Sequence, residues 1–228
     1  MEKGDKTRVT KNSGLTAAAI RTLEDDTWLN DEVINVYIQH AIDRKLEQVG
    51  HSKGKTPRYW TLNSNWWETV ESNKWSQEEG FDKVMKWSKR AKVGGANLLE
   101  VEQLFIPINR GSHWLLLVIS GTQRKVTLLN SITGAGLPSR DAFRAVRKYL
   151  ALELGEKYVA GEWRMADGGS PQQRNGSDCG VFVCFNALAL MLDLEPKKAF
   201  GAADMSAGRR QVAATLINEG FRGELDLF

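Results

Sequence analysis

Cysteine and histidine are both scarce in this chain, and long apolar runs are missing. Cys179 and Cys184 are the only cysteines, and His40, His51 and His113 are the only histidines. A separation of five residues along one helix places the two thiols on different faces, which argues against a disulfide and favours a reducing compartment. No stretch approaches the roughly 18 apolar residues of a membrane span, and the charged N-terminal residues have no apolar core of a signal peptide. We therefore expect a soluble intracellular protein, nuclear or cytoplasmic, that does not bind membranes.

A strong excess of charge of one sign is also missing. The formal net charge is +3, which does not indicate the concentrated basic face that nucleic-acid binding requires. The basic run at residues 86–92 is interpreted as a solvated helix face and not as a targeting or binding patch. No stretch has the composition of a linker, so we expect a single domain over residues 1–228, with a mobile N-terminal segment over about residues 1–14. We expect a monomer.

Hydrophobic periodicity predicts the fold class α+β, with a small mixed central sheet and surrounding helices. Asn30 is a suitable N-cap for a helix that reaches residue 46, and Asp31 and Glu32 fall in its first turn. Strands are predicted over residues 103–108, 113–120, 125–129 and about 162–165. Further helices are predicted over residues 138–152, 179–191 and 205–219. Because the helix over 179–191 is apolar on all sides, we expect it to be buried on all sides.

Cys179 lies where a Gly-rich loop becomes this apolar helix. A thiol is a useful nucleophile only as thiolate, and the unpaired N–H groups and partial positive charge of a helix N-terminus favour that form. The same N–H groups could bind the oxyanion of a tetrahedral intermediate. Gly180 directly afterwards removes a side chain from the approach to the sulfur. Position alone also allows a second interpretation, in which Cys179 is an ordinary buried helix cysteine like Cys184.

A candidate base and its supporting groups precede Cys179 in the chain. His113 begins a strongly apolar strand, whereas His40 and His51 are interpreted as surface residues. The strand over residues 125–129 would pair antiparallel with the His113 strand, which returns Asn130 to the same sheet edge, where it can orient the imidazole.

The loop before Cys179 supplies a further candidate. Gln173 could donate a second hydrogen bond to an oxyanion through its side-chain amide. Singly, His113 could be a packing histidine, Asn130 a turn residue and Gln173 a solvated glutamine. In the order His, Asn, Gln, Cys, they indicate a catalytic thiol with its base.

Three segments of the chain resemble the catalytic domain of the SUMO-specific (sentrin-specific) cysteine proteases. Residues 171–184, with the sequence PQQRNGSDCGVFVC, are similar to the nucleophile segment of that family. Residues 112–119, SHWLLLVI, are similar to its histidine strand, and residues 28–35, WLNDEVIN, look like the start of its catalytic domain. The segments stand in the family order, and the resemblance covers nearly the whole chain. It implies a cysteine-protease fold in which a buried helix starts at the catalytic cysteine.

The resemblance also implies roles for individual residues. The family has a Cys-His-Asp triad, a glutamine in the oxyanion hole and two tryptophans that line a tunnel admitting only a Gly-Gly tail. The matching positions in this chain are Cys179, His113, Gln173, Trp28 and Trp114. Asp31 matches a family position that contacts a basic residue of the modifier, although it could equally be only helix-terminal charge.

One position departs from the family pattern, because Asn130 stands where the family has Asp. Asn can accept the imidazole N–H through its carbonyl oxygen but gives no charge stabilisation to imidazolium. In serine proteases that exchange costs about 10⁴-fold in turnover, and we expect a smaller loss in a thiol enzyme. Either the enzyme works naturally with a Cys-His-Asn triad, or Asp was replaced to slow turnover.

The function that the resemblance implies is that of a cysteine protease and isopeptidase that cleaves after the C-terminal Gly-Gly of a ubiquitin-like modifier. SUMO is the first expectation, in deconjugation and precursor processing, so the expected partners are SUMO and its conjugates. No cofactor and no metal are expected. The alternatives are a protease for ubiquitin or a neddylation-type modifier, an acyltransferase, and a catalytically weakened module that binds a modifier without cutting it.

Overall fold

The computed structural model describes residues 7–71 and 77–227. Its helices are α1 (Ala17–Arg21), α2 (Asp31–Gln48), α3 (Trp66–Glu71), α4 (Gln77–Arg90), α5 (Ser139–Leu154), α6 (Cys179–Met191), α7 (Pro196–Ala199) and α8 (Met205–Ile217). Its strands are β1 (Tyr59–Thr61), β2 (Gln103–Asn109), β3 (Trp114–Ser120), β4 (Lys125–Leu129) and β5 (Arg164–Asp167). Short 3-10 helices lie at Gly95–Glu100, Gly155–Lys157, Ala160–Glu162 and Ala202–Asp204.

The chain divides into two compact units. The first, here called the helical unit, comprises Met1–Lys45, Ser131–Thr133 and Gly169–Phe228, and the second, the sheet unit, comprises Leu46–Asn130 and Gly134–Gly168. The single domain over residues 1–228 stays a prediction. Of the predicted mobile segment 1–14, residues 1–6 lie outside the described residues, and Arg8 in the remainder forms an antiparallel bridge with Thr16.

All five strands form one mixed sheet in the sheet unit, in the order β1-β2-β3-β4-β5. β2, β3 and β4 are antiparallel neighbours, whereas β1 pairs with β2, and β5 with β4, in parallel. The α+β class with a small mixed sheet and surrounding helices is therefore confirmed. The strand predicted at about residues 162–165 lies slightly later, because Ala160–Glu162 forms a 3-10 turn before β5.

The core of the sheet unit is built on one face of this sheet. Every residue of β3 is buried, and its alternate residues Leu115, Leu117 and Ile119 belong to one apolar cluster, as the period of two along a strand requires. Helix α5 covers that cluster, and its Tyr149 meets Trp66 of α3 edge-on with ring centroids 5.6 Å apart. The strands that carry candidate site residues therefore belong to a packed core.

Helix α6 is the buried element of the helical unit. Its residues Cys179–Ala189 are all buried, which confirms the expectation drawn from its uniformly apolar sequence. Gly180 also has a packing role, since a Cβ at this position would lie 2.8 Å from the Leu29 Cβ and 3.2 Å from the Ile34 Cδ1. The missing side chain thus lets the chain around Leu29 and α2 approach α6 closely.

Candidate active site

His113 is held at the end of a tight turn between β2 and β3. The turn runs through Gly111 and Ser112, both of which have a φ near +60°, and the Arg110 N–H donates to the His113 carbonyl over 2.9 Å. Trp114 then starts β3 opposite Asn109 of β2. His113 is only 5% exposed, so its side chain is held by contacts within the protein.

Asn130 directly follows β4 and contacts this imidazole. The His113 Nε2 lies 2.7 Å from the Asn130 Oδ1, and the Asn130 Nδ2 donates to the Ala135 carbonyl over 3.0 Å. Because Nδ2 is occupied as a donor, Oδ1 is the atom that faces the ring, and it must accept the proton on Nε2. In the neutral ring this leaves the lone pair on Nδ1, the arrangement that a general base requires. Strand pairing predicted this juxtaposition, whereas the catalytic role of both residues stays a prediction.

Gly136 closes the other side of the His113 ring. Its φ is +73°, a conformation that favours glycine, and a Cβ there would lie 2.8 Å from the His113 Cδ2 and 3.0 Å from the Leu115 Cδ1. The sequence contained no sign of this contact, because a glycine in a loop with Gly134 is expected for turn geometry alone.

Cys179 is the first residue of α6 and is 2% exposed. The loop before it is ordered by Asn175, whose Oδ1 accepts from the N–H groups of Ser177 and Asp178 over 3.2 and 3.1 Å. The Asn175 Nδ2 in turn donates to the Asp178 Oδ2 over 2.9 Å. Such an Asx turn fixes the path of the chain that leads into the helix at Cys179.

A buried arginine that sequence reasoning missed supports the same loop. Arg209 of α8 is 2% exposed and pairs with Asp178 through its Nε and a terminal nitrogen, over 3.1 and 2.8 Å. It also donates to the carbonyl oxygens of Thr22, Glu24, Thr27 and Ser177. All five N–H groups of the guanidinium therefore have acceptors. Arginine is the only side chain that carries five such donors. Since Arg209 lies 31 residues after Asp178, no local pattern could have revealed the pair.

Gln173 is half-buried and held within the helical unit. Its Oε1 accepts from the Ser131 hydroxyl over 2.7 Å, and its backbone N–H donates to the Ser131 carbonyl over 2.9 Å. Its Nε2 donates to the Asn175 carbonyl over 2.6 Å. Because an amide nitrogen carries two hydrogens, a second hydrogen bond from Nε2 is chemically available, and the predicted oxyanion role stays a prediction.

The two tryptophans of the predicted tunnel differ in exposure. Trp28 is 55% exposed although it is anchored, since its Nε1 donates to the Gly176 carbonyl over 2.8 Å. Trp114 is buried at the start of β3. The Trp28 side chain, which is fixed at its polar end and more than half exposed, is suited to contact another molecule. Their predicted role in binding substrate stays a prediction.

Asp31 lies exposed in the first turn of α2. The residue before it caps the helix as predicted, because the Asn30 Oδ1 accepts from the Val33 N–H over 3.0 Å. The negative charge of Asp31 therefore interacts favourably with the positive end of the α2 dipole, and its exposed carboxylate remains accessible to a basic group of a partner. The contact with a modifier stays a prediction.

The remaining cysteine and histidines lie in different surroundings. Cys184 is fully buried in α6, and this burial raises the pKa of its thiol well above the ordinary value. His40 and His51, predicted to be surface residues, are both half-buried. Burial lowers the pKa of His40, against the raising influence of Asp43 and Glu219.

The part of the chain that the structure describes contains no candidate metal site and no candidate membrane-spanning helix. Across residues 7–71 and 77–227, no group of three or more His, Cys, Asp or Glu side chains is arranged to hold a metal ion. None of the helices in the same ranges has the length and apolarity needed to cross a membrane.

Comparisons with known proteins agree on one family. The family model described as Ulp1 protease family, C-terminal catalytic domain, matches residues 27–223. The ubiquitin-like-specific protease ESD4 of Arabidopsis thaliana is 32% identical over 184 residues, which cover 78% of this chain and 35% of the relative. The chain thus spans about a third or less of the length of this and other curated relatives that it matches.

The solved structures that are similar in fold include the following two. The catalytic domain of the Ulp1-like SUMO protease of Chaetomium thermophilum has a TM-score of 0.85 and 30% identity, covering 97% of this chain and 86% of that one. The C-terminal Ulp1 protease domain of yeast, solved in complex with Smt3, the yeast orthologue of SUMO, has a TM-score of 0.73 and 25% identity, covering 92% and 86%.

Proposed function

Because the chain belongs to the Ulp1 protease family, we propose that it is a cysteine protease that cleaves after the C-terminal Gly-Gly of SUMO. It acts as an isopeptidase on SUMO conjugates and as a processing protease on SUMO precursors. The observation that carries the proposal is the hydrogen bond of 2.7 Å between the His113 Nε2 and the Asn130 Oδ1. The fixed acceptor holds the ring and its tautomer, which leaves Nδ1 as the nitrogen that can take up a proton, as a general base requires.

In the proposed reaction the His113 Nδ1 accepts the proton of the Cys179 thiol, and the thiolate attacks the carbonyl carbon of the terminal glycine. The resulting oxyanion accepts hydrogen bonds from N–H groups at the start of α6 and from the Gln173 Nε2. The tetrahedral intermediate collapses to a thioester as the imidazolium donates its proton to the leaving amine. Water, deprotonated by His113, then attacks the thioester and releases the free modifier, while the proton returns to Cys179.

SUMO is the proposed partner because of the relatives, and the residues around the candidate site are proposed to accept a tail that ends in Gly-Gly. The yeast relative of similar fold was solved with Smt3, and the Chaetomium relative is described as a SUMO protease. In the proposal, Trp28 and Trp114 line a slot too narrow for a Cβ, which restricts the tail to Gly-Gly, and Asp31 contacts a basic group of the modifier. An acyltransferase would need no such slot. We further propose an intracellular monomer, nuclear or cytoplasmic, that binds no nucleic acid.

A set of electrophilic probes tests the proposal. SUMO, ubiquitin and a neddylation-type modifier, each with a C-terminal vinyl sulfone, are incubated separately with the full chain, and covalent adducts are resolved by mass. We expect an adduct with SUMO, at Cys179, and little with the other two. Cys179→Ala should abolish the adduct, whereas the matched variant Cys184→Ala should retain it.

The other outcomes are equally informative. An adduct formed faster with ubiquitin or the neddylation-type modifier would overturn the choice of SUMO. Labelling of Cys184 would overturn the assignment of the nucleophile. Tight binding of SUMO without an adduct would favour a module that holds the modifier without cutting it, with Asn130 as the residue responsible.

A further inference from the structure

A concave pocket of about 700 Å³ lies in the sheet unit, and the proposed protease mechanism makes no use of it. Its walls are the end of α2 and the loop after it, the segment from β1 towards α3, and the last turn of α4. Every lining residue lies within the sheet unit. The volume falls in the range of about 300–1,000 Å³ that is typical of ligand sites.

The inner surface of the pocket is apolar and aromatic. Leu46, Pro57 and Leu62 are buried residues that form part of its lining. The indoles of Trp60 and Trp87 are only half-buried, so part of each ring contributes to the pocket wall. Such a surface stabilises a bulky aliphatic or aromatic side chain by removing it from water.

The rim of the pocket is basic and carries no opposing charge. Lys53, Lys55, Arg90 and Lys92 line it and are exposed, and no Asp or Glu is among the described lining residues. Within residues 7–71 and 77–227, Lys53, Lys55 and Arg90 take part in no ion pair. Several uncompensated cations around one concavity produce a positive potential that attracts an anionic ligand.

The rim is also held in shape by the protein itself. The Lys92 Nζ donates to the Gly54 carbonyl over 3.2 Å, which connects the chain after α4 to the loop that carries Lys53 and Lys55. The end of α4 is closed by backbone bonds, because the N–H groups of Ala91, Lys92 and Val93 donate to carbonyls of the preceding turn. Few carbonyl oxygens in the last turn of α4 therefore remain without a hydrogen bond, and few are available to repel an anionic ligand.

From these observations we infer that the pocket binds an acidic segment of a protein partner that inserts one bulky apolar side chain. The apolar lining accommodates the inserted side chain, and the exposed cations pair with flanking Asp or Glu. Nucleic acid fits less well, because the cations share the pocket with an apolar lining and the chain carries a net charge of only +3. The basic run at residues 86–92 is thus divided, since Arg90 and Lys92 line the pocket whereas Lys86 and Lys89 do not.

Fluorescence anisotropy with short labelled peptides tests the inference on the full chain. The first peptide has a Leu-Trp pair between blocks of glutamate, the second replaces that pair by Gly-Ser, and the third replaces the glutamates by lysine. We expect saturable binding of the first peptide, weakened by salt, and at least about fivefold weaker binding of the other two. Because these changes are made in the peptide, the fold of the protein is not altered.

Charge reversal at the rim locates the binding site. Arg90→Glu and Lys53→Glu should each weaken the binding of the first peptide by about fivefold or more. This size is consistent with the loss of an exposed ion pair and the gain of a charge repulsion. Lys86→Glu is the matched control, since Lys86 is exposed on the same helix and lies outside the pocket. It should change the affinity less than about twofold.

Three results would overturn the inference: no saturable binding of the first peptide, an equal loss with Lys86→Glu, or tighter binding of a single-stranded oligothymidine than of the peptide. The last result would assign the pocket to nucleic acid. The assay measures binding and involves no cleavage, so its failure leaves the proposed protease activity untouched, and an inactive protease could still give the expected result.

Discussion

At the scale of single residues, the two cysteines differ in what surrounds the sulfur. Cys184 is fully buried in the middle of α6, and burial raises the pKa of its thiol, so little thiolate forms at neutral pH. Cys179 is the first residue of the same helix, where backbone N–H groups have no helical partner. The two environments therefore distinguish the fully buried thiol of Cys184 from that of Cys179, the proposed nucleophile.

We predict that iodoacetamide at neutral pH modifies Cys179 long before Cys184. The reason is that alkylation requires thiolate, which the apolar surroundings of Cys184 disfavour. Peptide mass spectrometry of the native chain after limited reaction measures both sites. The variant Cys179→Ala should remain unlabelled until it is denatured. Preferential labelling of Cys184 in the native chain would contradict the prediction.

Asn130 determines how the imidazole is held and how its charge is compensated. In the structure its carbonyl oxygen faces the ring while its amide nitrogen donates to the Ala135 carbonyl. A carboxylate would pair better with an imidazolium but would place a second oxygen opposite that carbonyl. Asn130 therefore supports the local backbone at the expense of electrostatic stabilisation of the ring.

We predict that Asn130→Asp raises kcat/KM on a SUMO–peptide substrate by on the order of tenfold, because a charge-assisted hydrogen bond favours the imidazolium–thiolate pair. The same change should lower the free energy of unfolding by about 1 kcal/mol, through loss of the bond to Ala135. Kinetics and urea unfolding of the same preparation measure both effects. Asn130→Ala is the control and should lower both quantities. An unchanged or lower rate for Asn130→Asp would instead favour a natural Cys-His-Asn triad.

At the scale of elements, Arg209 joins the last long helix to the segment that precedes Cys179. Its guanidinium binds the Asp178 carboxylate and the Ser177 carbonyl on one side. On the other side it binds three carbonyl groups in the chain that leads from α1 to Trp28, those of Thr22, Glu24 and Thr27. One buried side chain therefore orders two loops that carry candidate site residues.

We predict that Arg209→Met lowers the free energy of unfolding by about 3–5 kcal/mol, because it leaves the buried Asp178 carboxylate without its positively charged partner. Arg209→Lys should recover only part of the loss, since an ammonium has three donors and cannot reach all the acceptors. The neighbouring exposed residue gives the control Arg210→Met, which should cost less than about 0.5 kcal/mol. Urea unfolding measures all three variants. Similar losses for the Arg209 and Arg210 variants would refute the bridging role.

Sequence patterns predicted the elements better than the contacts between them. The antiparallel strands around His113 and the apolar helix that begins at Cys179 were predicted closely. The spacing of apolar residues within a short segment is enough to indicate its secondary structure and which of its residues are buried. Arg209 and Gly136 acquire their roles only when distant segments pack, so neither role could be predicted. The packing of Gly180 against Leu29 could not be predicted either, whereas its predicted role beside the Cys179 sulfur stays a prediction.

At the scale of the whole molecule, the chain crosses repeatedly between the two units. Residues 131–133 belong to the helical unit, whereas the residues directly before and after them belong to the sheet unit. Within the helical unit, the Ser131 hydroxyl donates a hydrogen bond to the Gln173 Oε1, and the Thr133 N–H donates one to the Gln172 Oε1. Within the sheet unit, the flanking Asn130 contacts His113. Neither unit is therefore a continuous piece of chain, and a linker of the kind that separates independent domains is missing between them.

We predict that the two units unfold in one cooperative transition, as expected for a single domain. The matched variants Val126→Ala in β4 and Val212→Ala in α8 each truncate a fully buried valine, one in each unit, and each should cost about 2 kcal/mol. Native-state hydrogen exchange with mass spectrometry measures the opening free energy of the most protected peptides. If the chain unfolds as one, either variant lowers this free energy equally in both units, because the slowest amides exchange only through global unfolding. A loss of protection confined to the unit that carries the substitution would show that the units unfold separately.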